Sequence, residues 1–274
     1  MIIWLASYPK SGNTWVRAFL STYIYSQNGE FKFENMKKIT LFPQMKYFND
    51  IGVTPNNLLE FAKNLVLAQD KINLSNDIVF FKTHNAMCSV ENYPFTNKDN
   101  TLGAIYIIRD PRDVLVSYAK HDDTSLDFSL KALINTKNLG TLADDKNKKL
   151  LSIIGSWSEN YNSWKNFNLT KKIIIKYEDL LINPFDNFLK IIEYLNELYG
   201  LKVDKDKIKK IIEITKFSNL QDWEKKFGFI ETISKKELFF REGKSGSWKS
   251  QLDKKIIDKI ENLFCNEMKE LNYL

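Results

Sequence analysis

"YPKSGNTW", residues 8–15, follows the short apolar run "IIWLAS" (2–7). That run stops at Tyr8-Pro9 and reads as a buried strand. From Asn13 the period changes, and Trp15, Ala18, Phe19, Thr22 and Tyr23 share one helical face. Strand, loop and helix therefore follow one another, with Lys10, Ser11, Gly12, Asn13 and Thr14 at the helix N-terminus. Free backbone N–H groups and the helix dipole favour an anion there. The residue order is not that of the nucleotide loop G-x-x-x-x-G-K-[ST]. Ser11 supplies a hydroxyl after the lysine, but Ala6 and Ser7 do not supply the glycine before it.

Three further apolar runs read as strands: "IVFFK" (78–82), "LGAIYII" (102–108) and "KKIIIKY" (171–177). Helical patterns over 112–120, about 150–166 and 185–199 separate or follow them. The alternation predicts an α/β fold, a central parallel sheet flanked by helices, in a single domain over 1–274. Thr54-Pro55 marks a helix start. Residues 28–52 hold no sustained period and read as loop, and the polar segment 135–149 as a mobile loop. A last helix begins at Leu252, with Ile256, Ile257, Ile260, Leu263 and Phe264 on one side. Ligands of open parallel sheets lie beyond the carboxyl ends of the strands. The residues in question are thus Lys10-Ser11-Gly12, Thr83-His84, Arg109 to Arg112 and Glu178-Asp179.

The bulk numbers fit a soluble globular protein. Hydrophobic residues are 43% and charged ones 27% of 274, enough for a real core. The net charge of +6 is spread over lysine pairs such as Lys148-Lys149 and Lys209-Lys210, which read as solvated helix faces and form no nucleic-acid stripe. Two distant cysteines, Cys88 and Cys265, imply neither a disulfide framework nor a metal site. No signal peptide and no apolar run of membrane-spanning length is evident. The expectation is a cytoplasmic protein with no metal, no membrane and no nucleic-acid partner.

Two more stretches carry chemistry. In "IYIIRDPRDVLVSYAKH" (105–121), Arg109 directly follows a strand and can grip a phosphate in bidentate fashion, or pair structurally with Asp110 or Asp113. "FFREGKSGSWKSQL" (239–252) is a basic, glycine-containing loop that binds phosphate or is a plain surface turn. Together with the first stretch, in this order, they resemble the sulfotransferases of the cytosolic type that use 3′-phosphoadenosine-5′-phosphosulfate (PAPS). That family's Y-P-K-S-G-x-T-W, R-x-P-x-D-x-x-x-S and R-x-G-x-x-G-x-W-K motifs match Tyr8–Trp15, Arg109–Ser117 and Arg241–Lys249. Its K-T-H and Y-E-D match Lys82-Thr83-His84 and Tyr177-Glu178-Asp179.

The resemblance implies that Lys10 to Thr14 cradle the 5′-phosphate, while Arg109 and Ser117 hold the 3′-phosphate with Arg241 and the backbone around Gly243. Glu242 stands where many members carry a basic residue; its side chain is expected to point away. Trp15 is implied to stack on the adenine, or else is a core residue. Tyr177, Thr215 and Phe217 are implied to contact the base. His84 is implied as general base, with Lys10 and Lys82 stabilising charge on the sulfuryl group and the bridging oxygen; no metal is needed where lysines neutralise the leaving phosphate. The acceptor is expected to be the hydroxyl or amine of a small molecule, in a pocket drawing on Phe31, Phe33, Phe42, Tyr47, Phe48, Phe227 and Phe229 or else merely walled by them. Asp122-Asp123 would favour a cationic acceptor unless simply solvated. The family's dimer pattern is missing after Lys249, so that dimer is not expected. A kinase-type ATP enzyme and a non-catalytic nucleotide-binding protein are the competing readings.

Overall fold

A computed structural model of the chain describes residues 1–144, 148–229, 231–232 and 238–274. The elements run β1 (Ile2–Ser7), α1 (Asn13–Tyr25), α2 (Phe33–Met36), β2 (Thr40–Leu41), α3 (Met45–Asn49), α4 (Leu58–Asn73) and β3 (Val79–Thr83). A small hairpin, β4 (Ser89–Val90) and β5 (Tyr93–Pro94), leads to β6 (Thr101–Ile108), α5 (Pro111–His121) and α6 (Leu126–Ile134). Then come the hairpin β7 (Leu139–Asp144) and β8 (Lys148–Ile153), α7 (Trp157–Lys165), β9 (Lys171–Lys176), α8 (Tyr177–Ile182) and α9 (Pro184–Tyr199). The chain closes with α10 (Lys205–Ile214), α11 (Phe217–Phe227), a 3-10 turn (Ser247–Ser250), α12 (Lys254–Leu263) and α13 (Cys265–Glu270).

The central sheet has the order β2-β3-β1-β6-β9, every pairing parallel. β1 is buried on both faces, which is why it reads as an unbroken apolar run rather than an alternating one. Its residues split by parity. Trp4 and Ala6 face a core shared with α4, α5, α7 and α12, whereas Ile3 and Leu5 face α1, α9 and α10. Trp4 is fully buried and its indole donates to Thr101 Oγ1 at 3.0 Å. Truncating such a side chain typically costs about 3–5 kcal/mol. Because all strands run the same way, their carboxyl ends lie along one edge, and that edge carries the cavity.

Several expectations change. Residues 28–52 are not plain loop but hold α2, α3 and the edge strand β2; elements of two to five residues are too short to show a period. α4 is capped by Asn57, whose side chain accepts from Glu60 N, rather than by Thr54. The helix read over 150–166 starts only at Trp157, behind a Ser156–Glu159 capping box, since 148–153 is a strand. The loop read over 135–149 is largely the β7–β8 hairpin; residues 145–147 lie outside the described residues. Leu263, placed on the inner side of the last helix, is exposed.

Candidate active site at the carboxyl edge of the sheet

The first loop is anchored by the helix it opens. Asn13 donates from Nδ2 to Leu5 O at 3.0 Å and to Ser7 Oγ at 3.3 Å, tying the start of α1 back onto β1. Lys10 and Gly12 both take left-handed backbone angles, with φ of 67° and 97°. At Gly12 a Cβ would come within 2.4 Å of the Tyr177 ring, so only glycine lets that ring lie on the loop. Ser11 Oγ, Asn13 Oδ1 and Trp15 Nε1 are buried with no hydrogen-bond partner among the described residues. Buried polar atoms are normally satisfied, and the two orphans that can donate, Ser11 Oγ and Trp15 Nε1, fit a ligand rich in acceptors; Asn13 Oδ1 can only accept. Burial, followed by the Arg241 cation, pulls the Lys10 ammonium down to about 7. Its Nζ lies 4.2 Å from the centre of the Phe239 ring.

A second cationic group gathers beside it. Arg109, just past β6, donates to Lys10 O at 3.1 Å and to Lys244 O at 3.0 Å, and its guanidinium carbon sits 4.6 Å from the Tyr177 ring. Its Nε is buried without a partner among the described residues. The ion pair weighed for Arg109 belongs instead to Arg112, whose Nη2 meets Asp110 Oδ2 at 2.7 Å. Asp113 accepts from Gly246 N at 2.6 Å and Trp248 N at 3.1 Å, fastening the third motif to α5. Arg241 Nη2 donates to Ser117 O at 3.1 Å and to Ser117 Oγ at 3.3 Å, so the second and third motifs meet. Glu242 takes Lys120 at 3.1 Å and the Ser247 hydroxyl at 2.7 Å, with Lys244 at 3.5 Å. The Ser247 hydroxyl first, and Lys120 next, hold its carboxyl down at about 2. Gly243, at φ 58°, leaves room for Phe217; a Cβ there would stand 2.2 Å from that ring.

His84 follows β3. Its Nδ1 lies 2.8 Å from Ser7 O, and a carbonyl only accepts, so Nδ1 carries the proton and Nε2 is the basic nitrogen. Asn160 Nδ2 donates to His84 O at 3.0 Å and steadies the backbone. Burial, and then the Lys82 charge, lower the imidazole to about 4, which keeps it neutral near pH 7. Lys82 is itself drawn down to about 8, by burial first and Arg17 second.

These groups line a cavity of about 1670 Å³. Every residue expected at the site lines it except Ser11, which is fully buried, and Thr215. Thr215 is fully buried and donates to Ile211 O at 2.7 Å, so its side chain is not brought to the cavity. Trp15 is partly exposed to the cavity and packs edge-on against Phe188 at 5.5 Å. Of the aromatics considered for an acceptor pocket, Phe33, Phe227 and Phe229 line the cavity; Phe31, Phe42, Tyr47 and Phe48 pack inside the cores. Asp122 also lines it, its carboxyl raised by burial. Sequence reasoning missed Arg17 and Glu231, which meet in this cavity. The available signal was Arg17 as the one charged residue of α1, one turn past Asn13.

A family model described as the sulfotransferase domain matches residues 2–272. The chain belongs to the sulfotransferase domain family. It is 27% identical over 281 residues to cytosolic sulfotransferase 10 of Arabidopsis thaliana, covering 97% of this chain and 77% of the relative. It is 25% identical over 275 residues to flavonol 3-sulfotransferase of Flaveria bidentis, covering 97% and 81%. The structure of mouse sulfotransferase SULT7A1 complexed with PAP shares the fold, with a TM-score of 0.60 at 21% identity over 98% of this chain and 84% of that one. Membership sets the kinase reading aside, in keeping with the absent glycine before Lys10. No helix among the described residues of this sulfotransferase is long and apolar enough to cross a membrane.

Proposed function

We propose that this sulfotransferase, acting as one domain over 1–274, moves the sulfuryl group of PAPS to a hydroxyl or amine of a small-molecule acceptor by in-line displacement. The carrying observation is the pair of cationic groups that Tyr177 connects: its ring touches Gly12 in the first loop and Arg109 in the second. Two phosphates at opposite ends of an adenosine need two such groups, and the cavity-lining Lys10 and Arg109, with its orphaned Nε, suit them.

Lys10 and the backbone of residues 11–14 would hold the 5′-phosphate. Arg109, Ser117, Arg241 and the Gly243 backbone would hold the 3′-phosphate, with Trp15, Tyr177 and Phe217 around the base. The donor supplies a sulfuryl group on a phosphate leaving group. His84 Nε2 takes the proton of the acceptor as its oxygen or nitrogen attacks sulfur. Lys82 and Lys10 offset charge on the sulfuryl and bridging oxygens. A flavonol-named relative and the aromatic lining by Phe33, Phe227 and Phe229 support a ring-bearing small acceptor.

Thermal unfolding with adenosine 3′,5′-bisphosphate (PAP), against ATP with magnesium, tests the reading. At about 100 times its Kd a ligand stabilises by about 2.7 kcal/mol, raising Tm by about 5–10 °C here. The expected result is a shift with PAP and none with magnesium-ATP. The reverse pattern overturns the proposal.

A further inference from the structure

Arg17 is buried in α1, and its Nη1 lies 2.7 Å from Glu231 Oε1. Lys82 Nζ lies 2.7 Å from that same oxygen. Two buried cations from different elements thus converge on one carboxylate oxygen inside the cavity. Glu231 alone does not satisfy them: two positive charges meet one negative, and Arg17 Nε is buried with no partner among the described residues. A guanidinium presents a fork that suits a carboxylate taken at two points.

The sheet order decides which side of the site this is. β3, with Lys82, flanks β1 on one side; β6, with Arg109, flanks it on the other. The Arg17–Lys82 pair therefore stands across the first loop from the second cationic group, toward α2 and the edge strand β2. Phe33, Leu41 and Phe229 line the same cavity. We propose that Arg17 and Lys82 form an oxyanion subsite at the acceptor end, which Glu231 fills from within the chain, and that the acceptor carries a carboxylate that displaces Glu231. The inference rests on the sulfotransferase reading for calling this the acceptor end. Lys82 has three N–H donors and can serve both the subsite and the transferred group. An acidic acceptor sets its own negative charge in the place of Glu231, so the burial cost of the two cations stays offset.

Thermal unfolding with benzoate, benzamide and benzylamine, each with and without saturating PAP, tests the subsite in the wild type and Glu231→Gln. Removing the internal carboxylate should lower the benzoate concentration needed for half-maximal stabilisation at least tenfold. Benzamide and benzylamine should have no effect. Arg17→Gln on the Glu231→Gln background should abolish the benzoate response. The Glu231→Gln comparison of benzoate with benzylamine decides the matter even if the double variant does not fold. The proposal is overturned if benzoate leaves Glu231→Gln unshifted, if benzylamine matches it, or if the folded double variant responds equally. A tenfold gain in PAPS affinity without one in PAP affinity, benzoate remaining silent, would assign the subsite to the donor's sulfuryl group instead. Should PAP stabilise neither protein, the sulfotransferase reading fails by itself, and the arm without PAP still reads the Arg17–Lys82 pair.

Discussion

The loops at 8–15 and 239–250 both present cations to the cavity, and they are built in opposite ways. The first grows out of β1, a strand with every residue buried, and α1 ties it down within eight positions through Asn13 and Leu5 O. The second has little regular structure of its own beyond the 3-10 turn at 247–250. Partners more than a hundred positions away hold it: Asp113 on Gly246 and Trp248, Arg109 on Lys244 O, Ser117 on Arg241. A site made by one strand-loop-helix unit is encoded locally. A site borrowed across the fold depends on groups brought together by hydrogen bonds between distant segments.

Substitutions can break that comparison or sharpen it. The largest effect should come from a residue in neither loop. His84→Ala should lower kcat by about 10²–10⁴-fold. PAP affinity, read by calorimetry, should stay unchanged; normal turnover would remove His84 as the base. Arg109→Ala comes next. Losing hydrogen bonds between charged groups should weaken PAP by about tenfold to a hundredfold. Adenosine 5′-monophosphate should be affected far less. Equal losses would mean that Arg109, which touches Lys10 O as well as Lys244 O, serves the two loops alike.

The third test is pH. Lys10 sits near 7, and a bound anion favours its charged form, so binding takes up a proton above that pH. PAP affinity should fall about fivefold between pH 7 and 8 as the ammonium is lost. A flat calorimetric profile over that interval would show that the first loop holds its phosphate through backbone rather than charge. The smallest effect belongs to Phe227, a 59% exposed ring at the cavity. Phe227→Ala should change stability by less than about 0.5 kcal/mol in a denaturant titration. Any consequence should appear in acceptor KM alone.

What could be read from sequence follows the same divide. β3, β6 and β9 were legible to within a residue or two: β3 and β6 are largely buried and read as continuous apolar runs, and β9, a partly buried edge strand, shows through its run Ile173–Ile175. The residues at their carboxyl ends followed from the parallel sheet. Short-range devices were harder. Asn57 outranked Thr54-Pro55 as a cap, and the Leu139–Ile153 hairpin was hidden in a polar stretch whose pairing depends on register rather than composition. Thr215 lay in a segment read by resemblance, yet its hydroxyl is taken by Ile211 O within α10. The meeting of Arg17 with Glu231 was out of reach, since no period or spacing links a helix near the start of the chain to the segment before the third motif.

Asp113 has a bearing on how fast the protein lets go. Its two oxygens hold Gly246 N and Trp248 N, so the third motif and α5 are latched into one piece. With PAP held as proposed, its departure would proceed past a closed latch or wait for the latch to open. Asp113→Asn replaces one accepting oxygen by a donor facing a backbone N–H. It should shorten the residence time of PAP by about tenfold in stopped-flow measurements, with a smaller change in its association rate. In an enzyme of this design, the carboxylate of a residue that never meets the reacting atoms would set the pace of the cycle.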